Sequence, residues 1–249
     1  MWIIIAFFLA HWYLSAFSQT FFLHRYASHM MFTMNKFWER FFFIFTWIAQ
    51  GSSYLSAKSY AMLHRMHHAF ADTEEDPHSP KYTHNFFRLM WDTRSIYNRI
   101  NRGKMEIEER FRKNVPSWDS FEKFAHNNLS RIMWGGFYIG FYILFAEHWW
   151  LYFLLPIHFV MGPFHGVIIN WFSHKFGYRN FKDVKDTSTN FLPFDFLVMG
   201  ECYHNNHHKF GFRPNFGGIR WHEIDPTYII IKILNRLNII QLKPVHMAG

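Results

Sequence analysis

The histidines are the residues of this chain that point most directly to chemistry. The chain has 249 residues, of which 18 are histidine, and half of the histidines fall into four short motifs. Two motifs have the form HxxHH, which on an α-helix of about 3.6 residues per turn places three imidazoles within an arc of about 100°. The motifs are HRYASH (His24 and His29), HRMHH (His64, His67 and His68), NWFSH (Asn170 and His174) and HNNHH (His204, His207 and His208).

This histidine pattern predicts a metal site. Imidazole suits iron, copper, zinc and nickel, whereas calcium and magnesium prefer oxygen ligands. Nine imidazoles exceed the coordination number of one ion, so the motifs predict two ions. A single histidine pair at helical spacing is usually an ordinary surface or core feature, but two HxxHH motifs together with HxxxxH and NxxxH argue against that interpretation.

The spacing within HRYASH leaves two alternatives open. On a regular α-helix, His24 and His29 would diverge by about 140°. Either the two side chains bind different metal ions, or the helix ends between them.

Carboxylates are expected near such a site, because neutral histidine ligands leave the charge of the ions uncompensated and their ring N–H groups need acceptors. The candidates are Asp72, Glu74, Glu75, Asp76, Asp186 and Glu201, of which Asp72, Asp76, Asp186 and Glu201 are predicted to orient the ligands. The remaining histidines are predicted to be structural: His11, His78, His84, His126, His148, His158, His165, His222 and His246.

The elements that must position these motifs are predicted to be helices of an all-α integral membrane protein. Half of the residues are hydrophobic and 22% are aromatic, and residues 2–23 carry no charge. Residues 132–171 carry a single charge, Glu147, and are long enough for two spans of about 20 residues. The apolar run 41–49 is too short to cross a membrane. One domain, 1–249, is predicted, with spans at about 2–23, 130–146 and 149–169 and an interfacial helix at about 37–50.

The distribution of basic residues predicts the orientation of these spans. Sixteen Lys and Arg residues lie between Leu23 and Ile132 and ten follow Trp171, which accounts for all 26. The positive-inside rule therefore makes residues 51–129 and 172–249 a cytoplasmic helical cap that holds the dimetal site. The net charge of +8 is explained by this orientation, and no nucleic-acid motif competes with it. The single cysteine, Cys202, excludes a disulfide framework and cysteine-ligated metal clusters.

Three extended motifs resemble the membrane fatty acid desaturases of the acyl-CoA (stearoyl, delta-9) type, in particular their bacterial members. They are HRMHHAFADTEEDPHSP, GECYHNNHHKFGFRPNFG and GIRWHEIDPT, and the resemblance covers roughly residues 10–230. It implies that the nine motif histidines bind two irons and that Asn170 reaches one iron through water. The family usually has four spans, one more than is predicted here. The resemblance also implies a bacterial inner membrane location with the active site facing the cytoplasm.

The resemblance implies an oxygen-dependent acyl desaturase that introduces a cis double bond, at delta-9, into a saturated acyl group. A C–H bond in the middle of such a group is not acidic enough for any side-chain base to remove its proton, so a cofactor must supply the oxidant. The substrate is expected to be a fatty acyl chain on CoA, a carrier protein or a lipid. Since the sequence has no haem, flavin or iron–sulfur motif, electrons must come from a separate ferredoxin or cytochrome b5-like donor.

Three other functions remain as alternatives. The nearest is an integral-membrane di-iron hydroxylase that acts on alkanes or lipids, because its metal chemistry is the same. A metal transporter is disfavoured, because transporters bind their ions near the bilayer midplane and the motifs lie at or beyond the span ends. A membrane haem protein with two histidine ligands would not need the HxxHH motif twice.

Overall fold

The computed structural model describes residues 1–83 and 85–244, and these residues are mainly helical, which confirms the predicted all-helical class. The only strands in this part of the protein, β1 (Phe32–Thr33) and β2 (Gln241–Leu242), form a short antiparallel pair. The helices are α1 (Trp2–Ser18), α2 (Lys36–Gln50), α3 (Ala57–Phe70), α4 (Phe86–Asn101), α5 (Glu109–Arg112), α6 (Asp119–Ala125), α7 (Asn128–Phe145), α8 (Leu155–Phe159), α9 (Met161–Val167), α10 (His204–Lys209) and α11 (Pro226–Arg236).

Local hydrogen bonds explain where several of these helices begin. The side chains of Asn35, Ser56, Asn127 and Asp225 each accept a hydrogen bond from a backbone N–H in the first turn of α2, α3, α7 and α11. Such caps satisfy N–H groups that have no partner within the helix. The capping residue before α3 fixes the start of the helix that carries HRMHH.

The number of membrane spans differs from the prediction of three. Within residues 1–83 and 85–244, one continuous helix, Trp2–Ser28, is long and apolar enough to cross a membrane by itself. The predicted span at 149–169 is instead two helical pieces, Trp149–Phe159 and Met161–Phe172, bent by 77°. Pro163 accounts for a break here, because it has no N–H to donate to the carbonyl of Phe159. Counted as one broken span, the pair would raise the number to two.

The other predicted elements lie close to their expected positions. Helix α7 covers the predicted span at 130–146, and α2 covers the predicted interfacial helix at 37–50. The placement of α2 at a membrane interface and the division into three spans and a cap stay predictions.

The largest buried core lies directly behind the first histidine motif. Phe21, Phe22 and Leu23, which precede His24, pack with Phe42 and Phe43 of α2 and with α3. Because this core joins the end of the first helix to α2 and α3, it fixes the distance between HRYASH and HRMHH.

A tight turn between α2 and α3 depends on glycine. Gly51 has a φ of +52°, and a Cβ atom there would lie 1.7 Å from the Tyr138 hydroxyl oxygen of α7. Glycine is therefore the residue that permits both this backbone conformation and the close approach of α7.

Candidate metal centre

The nine motif histidines lie together in two adjacent groups. In each group the ring nitrogens that could bind an ion lie within 4.8 Å of one another. The five-histidine group consists of His24, His29, His64, His68 and His207, and the four-histidine group consists of His67, His174, His204 and His208. Each HxxHH motif is thus divided between the two groups, although its three imidazoles share one helix face.

A π-helical segment brings His24 and His29 into the same group. Helix α1 continues without a break into π-helical turns over Gln19–Ser28, and the His29 N–H donates to the His24 carbonyl at 3.1 Å. An i→i+5 hydrogen bond carries the second residue back over the first, so the two ring centroids are only 4.9 Å apart. Of the two alternatives left open by the sequence, the one in which the helix ends between the two histidines agrees with its end at Ser28. The other, in which they bind different ions, does not agree with their place in one group.

The ring nitrogens within each group face one another closely. The Nε2 atom of His207 lies 3.0 Å from Nε2 of His24 and 3.0 Å from Nε2 of His68, and Nε2 of His29 lies 2.9 Å from Nε2 of His64. In the four-histidine group, Nε2 of His204 lies 3.1 Å from its counterpart on His174.

Carboxylates hydrogen-bond the opposite ring nitrogens of three of these histidines, and a fourth carboxylate lies near that of His174. The Nδ1 atom of His24 lies 2.7 Å from Glu201, and that of His208 lies 2.6 Å from Asp186. The Nδ1 atom of His67 lies 2.9 Å from Asp76, and that of His174 lies 3.6 Å from Asp72. A ring that donates Nδ1–H to a carboxylate presents the lone pair of Nε2 to the centre of its group. By contrast, Glu74 and Glu75 are exposed.

This arrangement fits two transition-metal ions. Lone pairs that face each other at about 3 Å repel unless a proton or a cation lies between them. In addition, the buried Nε2 atoms of His67 and His208 have no hydrogen-bond partner among the described residues. Buried polar atoms without partners are rare, and an ion explains them here. Imidazole is also the ligand type that such ions prefer.

Burial keeps three of these imidazoles neutral. It lowers the pKa of His67 from 6.5 to about 3 and that of His64 and His204 well below 6.5, and neighbouring imidazoles lower these values further. At neutral pH the rings are therefore unprotonated at one nitrogen, which is the form that binds a metal ion.

The structure also locates the remaining predicted residues. Asn170 is half-buried in a π-helical turn, Ile168–Phe172, that leads from α9 to His174. Of the histidines predicted to be structural, His11 and His158 pair through their Nδ1 atoms at 2.6 Å, away from both groups. His78 differs, because it lies beside His67 and Asp76. The predictions for His84 and His246 fall outside the described residues.

Several supporting residues were not predicted from the sequence. Arg25, inside HRYASH, is fully buried, donates to Asp225 at 2.7 Å and lies over the ring of Phe216. This ion pair ties the first histidine motif to the IDPT segment before α11. A signal for it was present in the sequence, because an arginine between two histidines predicted to bind a metal must either reach solvent or find a buried acid.

A second buried acid stabilises the HNNHH motif. The Glu223 carboxylate accepts hydrogen bonds from the side chains of Asn206, Asn180 and Tyr178. Asn206 of HNNHH therefore helps to hold α10 in place while the histidines of this helix face the five- and four-histidine groups.

Comparison with known proteins agrees with this geometry. A profile of the family described as fatty acid desaturase matches residues 1–233. An sn-1 stearoyl-lipid 9-desaturase of Synechocystis sp. is 33% identical over 89% of this chain and 66% of its own length. A delta-9 desaturase-like protein of Arabidopsis thaliana is 30% identical over 91% of this chain and 72% of its own length.

A third relative, an acyl-CoA 5-desaturase of Anemone leveillei, is 29% identical over 90% of this chain and 66% of its own length. This protein thus spans about two thirds of the length of the relatives it matches. The profile covers almost all of its residues, including every histidine motif. The resemblance inferred from the motifs is therefore confirmed, and the chain belongs to the fatty acid desaturase family.

Proposed function

We propose that this protein is an oxygen-dependent di-iron desaturase that introduces a cis double bond, at delta-9, into a saturated fatty acyl group. The observation that supports it best is the pair of adjacent all-imidazole groups, with carboxylates on their outer nitrogens. Family membership and the names of the relatives support the substrate class and the double-bond position.

The nine histidines are proposed to hold the two irons, with Asn170 acting on one of them through water. The four carboxylates would carry four negative charges, which match the four positive charges of two ferrous ions. Glu201, Asp76 and Asp186 would each also fix the orientation of one ligand ring. When bound, the irons would supply the oxygen chemistry that side chains lack.

The buried surroundings of the centre suit this role. His67, His204 and His207 are each at most 1% exposed, and Phe216 packs on the His207 ring at a centroid distance of 4.2 Å. Such packing keeps bulk water away from the reacting carbons and leaves the polypeptide to position the substrate.

The protein is further proposed to be integral to a bacterial inner membrane, with the metal centre on the cytoplasmic side. Large apolar side chains are exposed along the first helix, along α7 and around Trp149, as expected for a surface in contact with lipid. Trp2, Ile143, Leu144, Trp149 and Phe153 are each at least 66% exposed.

Two partners complete the proposal. Electrons would come from a separate acidic ferredoxin or cytochrome b5-like protein, because the basic cap favours an acidic carrier. The acyl carrier is CoA, a carrier protein or a lipid; the relatives include both a stearoyl-lipid and an acyl-CoA desaturase.

The test is expression in a host that makes only saturated fatty acids, together with an electron donor, followed by gas chromatography and mass spectrometry of the fatty acid methyl esters. We expect cis-monounsaturated C16 and C18 products in air and none without oxygen. The variant His207→Ala should abolish the product, whereas His148→Ala, at an exposed residue, should retain it.

Other products would change the assignment. Hydroxy acids or alcohols as the main product would indicate the hydroxylase function. Double bonds formed equally well without oxygen would refute the di-iron mechanism. Feeding acyl-CoA or labelled lipid to isolated membranes would then distinguish the acyl carriers.

A further inference from the structure

His78 is a buried imidazole beside the four-histidine group that the proposed function does not use. Its side chain is 4% exposed, and neither of its ring nitrogens has a hydrogen-bond partner among the described residues. Its ring centroid lies 4.2 Å from that of His67. A nitrogen of His78 also lies within 4.8 Å of ligand atoms on His67 and Asp76.

The loop that carries His78 is held firmly. The backbone N–H of His78 donates to Asp76 Oδ1 at 3.0 Å, and the same carboxylate accepts from Nδ1 of His67. One residue further on, the Ser79 hydroxyl donates to Asp72, which lies next to His174. The loop that carries His78 is therefore held by Asp76, which hydrogen-bonds the His67 ring, and by Asp72, which lies beside His174.

A buried imidazole with an unmet donor and an unmet acceptor is costly and needs a polar partner. Asp76 is not that partner, because its oxygens bond the His67 ring, the Asp72 N–H and the His78 N–H but neither ring nitrogen of His78. The four-histidine group provides one. Four imidazoles leave open positions on an ion that takes an octahedral shell, and water at such a position needs hydrogen-bond partners from the protein.

We propose that His78 is a positioning residue of the four-histidine group, whose ring holds a water molecule against the metal ion of that group and keeps the His67 ring in place. This inference rests on the proposed di-iron function. It concerns one of the two ions, because His78 lies beside His67 and the five-histidine group does not include it.

The experiment compares iron-loaded full-length wild type with His78→Phe, His78→Gln and His165→Phe. Phenylalanine fills the space of the imidazole without hydrogen bonding, whereas glutamine keeps a donor and an acceptor. His165 is the matched control, since it is 1% exposed and its ring nitrogens also lack partners within the described residues, but it belongs to neither histidine group. The readouts are iron content, the rate of iron release to a ferrous chelator, and the Mössbauer spectrum.

We expect His78→Phe to bind one of its two irons about 10- to 100-fold more weakly than wild type, the loss of affinity typical when a residue that supports a metal ligand is removed. That iron should be released correspondingly faster. One Mössbauer doublet should change and the other should not. His78→Gln and His165→Phe should resemble wild type.

Two results would overturn the inference alone. One is a His78→Phe protein that matches wild type in iron release and spectrum. The other applies if His78→Phe fails to fold. In that case, a folded His78→Gln protein that has lost one iron would show that hydrogen bonding by the side chain at this position does not retain the iron. A wild type that never binds two irons would instead refute the proposed function itself.

Discussion

Glu201 is the carboxylate whose removal tests the metal centre most directly. It contacts Nδ1 of His24 through both oxygens, at 2.8 and 2.7 Å, accepts a hydrogen bond from Thr20 and lies 3.8 Å from Arg25. Replacing it by alanine leaves the His24 ring free to rotate and removes one negative charge from beside the five-histidine group.

The expected size of the effect follows from these contacts. Loss of a carboxylate that orients a metal-binding histidine weakens metal binding by about 10- to 100-fold. This corresponds to about 1.4 to 2.7 kcal/mol of binding free energy. Glu201→Gln should lose less, because its amide oxygen still accepts from His24. The fold should survive, because Arg25 keeps its ion pair with Asp225.

The assay is competition of the purified protein with a chelator of known affinity, using cobalt(II) as a probe whose visible spectrum reports ligand geometry. In Glu201→Ala, the affinity for one of the two cobalt(II) ions should fall and the affinity for the other should stay unchanged. Glu74→Ala is the matched control, because this carboxylate is exposed and lies only a few residues after HRMHH. Equal affinities in Glu201→Ala and wild type would refute the assigned role of this carboxylate.

Three further predictions concern stability, each measured by unfolding in detergent. Asp225→Ala should destabilise the protein by about 3–5 kcal/mol, because it removes the closest carboxylate partner of a completely buried arginine. Asp92→Ala, at an exposed ion pair, should lower the free energy of unfolding by at most ~1 kcal/mol. Gly51→Ala should lower the free energy of unfolding by about 2 kcal/mol or more, because its φ is positive and the new Cβ atom would collide with a tyrosine hydroxyl. Gly136→Ala, whose Cβ atom would meet nothing within 4 Å, should leave stability unchanged or raise it. In metal-free protein, burial lowers the pKa of His67 from 6.5 in the unfolded state to about 3 in the folded state, so the unfolded state binds more protons between these pH values. The contribution of His67 to stability should therefore be complete above pH 6.5 and fall as the pH drops toward 3. A free energy of unfolding that does not change over this range would contradict the burial argument.

The sequence was sufficient to identify the family of this protein. The types and spacings of nine histidines predicted a site for two metal ions, and the extended motifs around them predicted the fatty acid desaturase family. Four of the six candidate carboxylates lie next to ring nitrogens of motif histidines. The family is confirmed and the nine histidines do lie together, because residue type and helical periodicity are local properties that a sequence records directly.

The distribution of ligands between the two groups was decided by tertiary structure alone. Helical spacing puts His64, His67 and His68 on one face, but only the packing of α3 against the first helix and α10 sends His67 to one group and its neighbours to the other. Likewise, a regular helix separates His24 from His29, whereas the π-helical turns bring them together. No residue type in that segment predicts the change from α-helical to π-helical hydrogen bonds.

The buried acids show the same limit. Arg25 and Asp225 are 200 residues apart in the sequence, yet they form a completely buried ion pair beneath the first histidine motif. Pro163 accounts for a break within the third predicted span, but the angle of 77° depends on context, because neither a proline nor a hydropathy run specifies the direction of the following helix. Long-range pairing and helix direction are set by which surfaces can pack together, and that information exists only in the folded protein.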